Sequence, residues 1–450
     1  MGNCSSSPSS SEIPQTHGGV SHGEGSYLGV PLLHDCEHGL SNSPDTKYGV
    51  VVGRHCPEPQ QGASFLRTCF NGFNALSGVG ILSIPYALSE GGWLSLVLLL
   101  ALAAICCYTG LLLQRCMDAG SHIETYPDIG EFAFGYRGRL AVSFFMYLEL
   151  YLVAVGFLIL EGDNLGKLLP GTSVEVGGIR IEGKQLFTLV SALVILPTTW
   201  LRSLGALAYV SVGGVVASVV VVGCVFWAGA FDHVGFHQRG QVVNFSGLPN
   251  ALGLYAFCFC GHAVFPTLCT SMKDKKQFPK VLLVCFALCT LNYGSIAVIG
   301  YLMYGGDLKS QITLNLPVGN LNTKIAIITT LINPFTKYAL LVTPVATAIE
   351  QQLSFKNKIP LSFFTRTSLV ISTVVIALTV PLFGLLMSLI GSFLSVIASM
   401  LLPCICYIKI FDATRRSKLE SIIIMGIMAM GTVIGVMGTY SSLQQIVNNI

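Results

Sequence analysis

Long apolar runs recur along this chain from residue 64 to residue 443, divided by short polar stretches. Most are about 20 residues long, which as a helix is enough to cross ~30 Å of hydrocarbon. They fall near 64–89, 92–116, 140–162, 185–202, 206–229, 249–271, 280–303, 323–350, 365–386, 388–410 and 421–443. The pattern predicts an all-α polytopic membrane protein of about eleven helices. Only a tight turn within "PLFGLLMSLIG" (381–391) is expected to separate the ninth helix from the tenth. Ahead of the transmembrane domain (64–443), residues 1–63 are rich in Ser, Gly, Pro and His. That tail has little to bury and reads as a disordered cytosolic segment. Residues 444–450 read as a short non-cytosolic end.

Two of these runs contain residues that break helices. The first carries "NALSGVGILSIPYAL" (74–88), with Asn74, Ser77, Gly78, Val79 and Gly80, and Pro85 five residues after Gly80. The sixth carries "LYAFCFCGHAVFPTLCTS" (254–271), with Phe259, Cys260, Gly261 and His262, and Pro266 five residues after Gly261. Lipid cannot hydrogen-bond freed backbone, so such breaks are tolerated only where they face protein or a cavity. The two spans lie five helices apart and therefore run in opposite directions, which predicts an inverted repeat of helices one to five and six to ten. Paired interruptions of this kind point to a transporter binding site. Free N–H ends of half-helices attract a carboxylate and free C=O ends an ammonium, so the pair suits a zwitterion. The alternative is that Gly and Pro only allow close helix packing.

Composition agrees with the pattern. The chain is 52% hydrophobic and 10% charged, against roughly 25% charged in soluble proteins. A net charge of +3 with no basic, aromatic-interleaved cluster excludes a nucleic-acid partner. Lys and Arg crowd one set of loops, including Arg115, Arg137, Arg139, Lys273, Lys275 and Lys276. The other side holds only Lys167, Arg180, Lys184, Arg239, Lys309 and Lys324. By the positive-inside bias, the N-terminus is cytosolic and the C-terminus luminal or extracellular. The non-cytosolic loops contain none of the fifteen cysteines, so no disulfide framework is implied. The "NFS" sequon at Asn244 sits too close to the next span to be a good acceptor. No secretory signal is present. "MGNCSS" fits a myristoylation site, with Gly2 as acceptor, Ser6 as the required hydroxyl and Cys4 as a palmitoylation candidate. No metal-ligand spacing, phosphate loop or nucleophile motif appears, so neither enzyme nor cofactor is expected.

Three ionisable residues lie deep in spans: Glu149 in the third, His262 in the sixth and Lys337 in the eighth. Charge at mid-membrane is costly and marks a functional site by default. His262 adjoins the Gly261 break and is either a proton acceptor and substrate contact or a neutral structural histidine. Glu149 is either a proton carrier or the fixed partner of Lys337. Glu161 and Asp163 lie near the non-cytosolic end of the third helix and suit a gate. Phe259 and Tyr151 are candidate pocket-lining aromatics.

"FNGFNALSGVGILSIPYALSEGGW" (70–93) and "YPDIGEFAFG" (126–135) resemble the opening helix and first cytosolic loop of the amino acid/auxin permease family. "GFLILEGDNL" (156–165) and "GHAVFP" (261–266) are similar to its plant vacuolar amino-acid transporter (AVT) branch. The resemblance covers about residues 64–443. It implies a LeuT-like 5+5 inverted repeat plus one C-terminal helix. It also implies proton-coupled movement of neutral amino acids, at the vacuolar membrane in many members; sodium independence is expected from Lys337, and the carrier is expected to function as a monomer. Sodium-coupled members of this fold hold a cation between the first and eighth helices, where Lys337 would place its ammonium beside Asn74 and first-helix carbonyls. The alternatives are a non-transporting amino-acid sensor and an auxin or amino-acid uptake carrier at the plasma membrane.

Overall fold

The computed structural model describes residues 62–200, 207–352, 359–411 and 417–449. Gly2, Cys4 and most of the tail lie outside the described residues. The first span is α1 (Phe65–Leu76), a 3-10 turn (Val79–Leu82) and α2 (Ile84–Gly91). Then come α3 (Ser95–Asp118), the short surface helix α4 (Tyr126–Phe134) and α5 (Tyr136–Leu168). A hairpin of β1 (Ser173–Val176) and β2 (Ile179–Glu182) leads to α6 (Gly183–Trp200) and α7 (Leu207–Phe231). The sixth span is α8 (Leu248–Cys258) and α9 (Phe265–Thr270). It is followed by α10 (Phe278–Tyr304), α11 (Leu321–Gln352) and α12 (Ile359–Thr379). The next span joins α13 (Phe383–Leu389) to α14 (Leu402–Ile410) through two widened π-type turns, Ile390–Ser395 and Ile397–Leu401. The chain ends with α15 (Lys418–Asn449). Among the described residues, eight helices are long and apolar enough to cross a membrane, in addition to the two broken spans and α6.

Local chemistry sets the boundaries. Ser64 caps α1 by accepting the Arg67 N–H (3.4 Å). Thr125 and Asp128 form a capping box at α4, so part of the "YPDIGEFAFG" loop is helical. The β1–β2 turn is Gly177–Gly178, with φ of 61° and 82°, the left-handed pair that a tight hairpin needs. One boundary departs from the sequence pattern. The ninth helix stops at Thr379 and the tenth starts at Phe383. Pro381 lacks an N–H and drives the residue before it out of the helical region, which places the break earlier than the expected turn near 387. Gly384 and Gly391 lie inside the following span and mark close approaches instead. Gly391 rests against the Gly253 carbonyl of α8, where a Cβ would have no room.

The broken spans run through the middle of the bundle. α1 and α2 pack on α10, and α8 packs on the π-type stretch of the 383–410 span. That span is 67% buried over its apolar window, whereas α15 is 28% buried and lies along the outer wall. α5 joins α6, α11 and α12 in a second group of packed helices.

Candidate functional site

Both interrupted spans are open at their glycines. α1 ends at Leu76. Ser77 (φ −77°, ψ 65°) makes a tight turn in which the Gly78 N–H returns to the Leu76 carbonyl (2.8 Å). α8 ends at Cys258, and irregular chain carries through Cys260, Gly261 and His262 to α9. The two breaks face one another crosswise. A Cβ on Gly80 would lie 2.6 Å from the Cys258 sulfur, and one on Gly261 would lie 2.9 Å from the Leu76 side chain. Each glycine thus touches the last helical residue before the opposite break, as two inverted copies of one motif would. Gly78 borders open space, and the buried Ser77 and Ser83 hydroxyls have no partner among the described residues. A four-residue 3-10 turn pairs its N–H groups only from Ile81 onward, so those of Val79 and Gly80 have no acceptor within the turn. Backbone donors and unpartnered hydroxyls therefore gather on one side of the break.

The carbonyl side is already in use. The Phe73 carbonyl accepts the Ser77 N–H (2.6 Å), and the Asn74 carbonyl accepts the Lys337 ammonium (3.2 Å). The Tyr293 hydroxyl, from the middle of α10, lies 2.6 Å from the Leu76 carbonyl and 3.3 Å from that of Cys258. One side chain therefore reaches the end of both half-helices. The Phe259 ring stands edge-on to Tyr293, with centroids 5.5 Å apart, so Phe259 packs at the break. The Asn74 side chain lies against Gly214 of α7.

The ionisable residues occupy different settings. Glu149 is buried. It accepts the Ser395 hydroxyl (2.5 Å) and faces the Cys260 thiol at the sixth-span break (3.8 Å). Among the described residues it forms no ion pair with Lys337. His262 is fully buried and turns toward α3, with Nε2 2.9 Å from the Thr109 hydroxyl and 3.1 Å from the Cys106 carbonyl. A carbonyl can only accept, so Nε2 carries a hydrogen and the imidazole fastens the break to α3. Glu161 is fully buried with neither oxygen hydrogen-bonded among the described residues. Asp163 pairs with Lys184 (2.9 Å) and accepts from Gln311 (3.0 Å), which Asn164 also reaches (2.5 Å). This ties α5 to α6 and to the loop before α11. Tyr151 stands apart from the breaks. Its hydroxyl donates to Ser372 (2.8 Å), and its ring lines a cavity of ≈ 1030 Å³ bounded by α4, α5 and the end of α11.

A polar face in the 383–410 span escaped the sequence reading. Ser388, Ser392, Ser395 and Ser399 are all fully buried. Ser399 donates to the Ser395 carbonyl (2.6 Å), and the Tyr126 hydroxyl donates to the Ala398 carbonyl (2.7 Å). The i, i+4, i+7, i+11 spacing was a readable signal. Tyr293 sits in "TLNYGS" (290–295), between Asn292 and Gly294, a polar interruption of its span that the sequence reading passed over.

A model of the transmembrane amino acid transporter protein family matches residues 61–444. The chain belongs to that family. It is 54% identical over 390 residues to the amino acid transporter AVT1I of Arabidopsis thaliana, covering 86% of this chain and 96% of that one. It is 50% identical to AVT1J of the same plant, covering 86% and 92%. Among solved structures, MhsT in complex with L-phenylalanine matches with a TM-score of 0.55 at 11% identity, covering 85% of this chain and 100% of that one. A substrate-bound, outward-open Na+-coupled sialic acid symporter matches with a TM-score of 0.51 at 13% identity, covering 83% and 87%. At these identities the structural likeness concerns the fold, which is LeuT-like. This family member is an integral membrane amino acid transporter and not an enzyme.

Proposed function

We propose that this transporter moves neutral amino acids across the vacuolar membrane, coupled to protons and independent of sodium. The observation that carries the reading is the Lys337 ammonium on the Asn74 carbonyl, between the eighth and first spans. It supplies a fixed positive charge where a bound cation would otherwise join these two helices. The proton is assigned to Glu149. Its carboxylate meets the break through Cys260 and the 383–410 span through Ser395, so a proton there changes contacts on two elements at once. The N–H groups of Val79 and Gly80 and the Ser77 hydroxyl take the substrate carboxylate, and the Leu76 and Cys258 carbonyls its ammonium. Glu161 and Asp163 lie where a gate on the non-cytosolic side would close. The Lys and Arg asymmetry supports a cytosolic N-terminus, with Gly2 and Cys4 within reach of acylating enzymes.

The test is uptake of labelled leucine into proteoliposomes in sodium-free buffer, with the pH gradient imposed in each direction. Uptake that follows the gradient supports the reading. Uptake indifferent to pH and dependent on sodium would overturn it. A fluorescent fusion in plant cells separates the vacuolar from the plasma membrane.

A further inference from the structure

The Tyr293 hydroxyl sits in the place assigned above to the substrate ammonium, and the inference drawn from this rests on that assignment. A carbonyl oxygen has two lone pairs. At Leu76 both are used, by the Gly78 N–H at 2.8 Å and by the Tyr293 hydroxyl at 2.6 Å. The same hydroxyl approaches the Cys258 carbonyl at 3.3 Å. Tyr293 is fully buried, and its ring is held edge-on by Phe259. An arriving ammonium therefore finds no free acceptor at Leu76 until one donor withdraws. The Gly78 N–H is fixed by the turn at Ser77, whereas a phenol hydroxyl turns about a single bond.

We propose that Tyr293 is an internal stand-in for the substrate ammonium. In the amino-acid-free carrier its single hydrogen fills the second acceptor position of Leu76 and leans toward the Cys258 carbonyl, in a low-dielectric interior. On loading it yields the Leu76 carbonyl to the amino acid, and on release it takes that place again. The hydroxyl thus weakens binding but lets the emptied site close over satisfied backbone, which a carrier needs in order to return. Tyr293 is a positioning residue that sets affinity against turnover.

The test compares wild type with Tyr293→Phe, using leucine and 4-methylpentanoate, the same chain without its amine, as competitors of labelled leucine in proteoliposomes. Opening the second acceptor position of Leu76 in the empty state is expected to tighten leucine binding roughly 3- to 10-fold. The inhibition constant of 4-methylpentanoate should stay within about twofold, and the maximal transport rate should fall along with KM. Unchanged or weaker leucine binding in the variant overturns the proposal, as does an equal gain for both competitors. Tyr293→Met, which fills the space without a hydroxyl, serves as the second variant. If neither variant gives a folded carrier by size exclusion, the hydroxyl is a structural strut and the proposal fails. Wild type that does not prefer leucine over 4-methylpentanoate would remove the underlying substrate assignment instead, a result separable from any behaviour of the variants.

Discussion

Replacing Lys337 by threonine tests whether a side-chain ammonium does the work of a bound cation. The Lys337 Nζ lies 3.2 Å from the Asn74 carbonyl, near the end of α1 and within three residues of the Ser77 turn. A hydrogen bond from a charged donor contributes roughly 1.5–3 kcal/mol. At about 1.4 kcal/mol per tenfold, its loss lowers the population of the joined α1–α11 arrangement by roughly 10- to 100-fold. Lys337→Thr should therefore cut sodium-free leucine uptake by at least about tenfold. Threonine also leaves an oxygen beside the Asn74 carbonyl, so sodium gains a coordination site. If sodium binds there with a dissociation constant of about 10 mM, 100 mM sodium returns roughly 1.4 kcal/mol and restores about tenfold of the lost activity. Lys337→Met is the control, similar in length but with no oxygen, and should lose activity without recovery. The assay is initial-rate uptake into proteoliposomes under a fixed pH gradient, with sodium or choline outside. Full activity of Lys337→Thr with no response to sodium would refute the surrogate-cation reasoning. Equal recovery of both variants by sodium would place the ion elsewhere.

Glu149→Gln keeps the shape and the Ser395 contact but cannot release a proton. It should abolish uptake driven by a pH gradient while leaving leucine–leucine exchange within about threefold of wild type; gradient-driven uptake at the wild-type rate would remove Glu149 from coupling. His262→Ala should lower thermal stability in detergent by roughly 1–3 kcal/mol, as expected for a lost buried hydrogen bond, and leave the pH profile of transport unchanged in shape. A flattened profile would return the proton to the imidazole. Gly391→Ala drives a methyl into the Gly253 carbonyl, a backbone atom that cannot step aside. The expected cost is roughly 3 kcal/mol, at the upper end for overpacking, read as a lower melting temperature; a wild-type melting curve would show that the 383–410 span and α8 are not in close contact.

The breaks were legible because lipid leaves few reasons for a Gly-and-Pro interruption, and fewer for the same one at Gly80–Pro85 and at Gly261–Pro266. Lys337, Glu149 and His262 were legible as charge or potential charge in apolar surroundings. The direction in which each points was not. His262 could as well have faced the break as α3, because a residue in the irregular chain of a break has no helical phase from which its direction could be read. Tyr293 was passed over because "TLNYGS" (290–295) carries neither a charge nor a proline, although Asn292 and Gly294 flank it. The β1–β2 hairpin was readable from "VEVGGIRIE" (174–182) but lay outside the apolar runs that organised the reading. The division between the ninth and tenth helices was also readable, from Pro381 rather than from the later glycines.

A broken helix in a membrane protein is usually thought of as a source of bare dipoles, yet here the two ends of each break differ. Two freed carbonyls near the end of α1 have donors supplied by side chains, Asn74 by Lys337 and Leu76 by Tyr293. The hydroxyls of Ser77 and Ser83, on the other side, have none among the described residues. Leaving freed carbonyls unsatisfied would cost roughly 1–3 kcal/mol each, enough to favour a different packing when no substrate is bound. Internal donors remove that penalty and make the empty state a defined structure. If the substrate binds as proposed, its ammonium competes with protein groups, whereas its carboxylate meets open donors. On that assignment the internal donors narrow the preference for a zwitterion over a bare acid while still excluding a bare amine. An acid alone gains the open half but displaces nothing, and an amine alone must displace a donor without the carboxylate contacts to hold it in place.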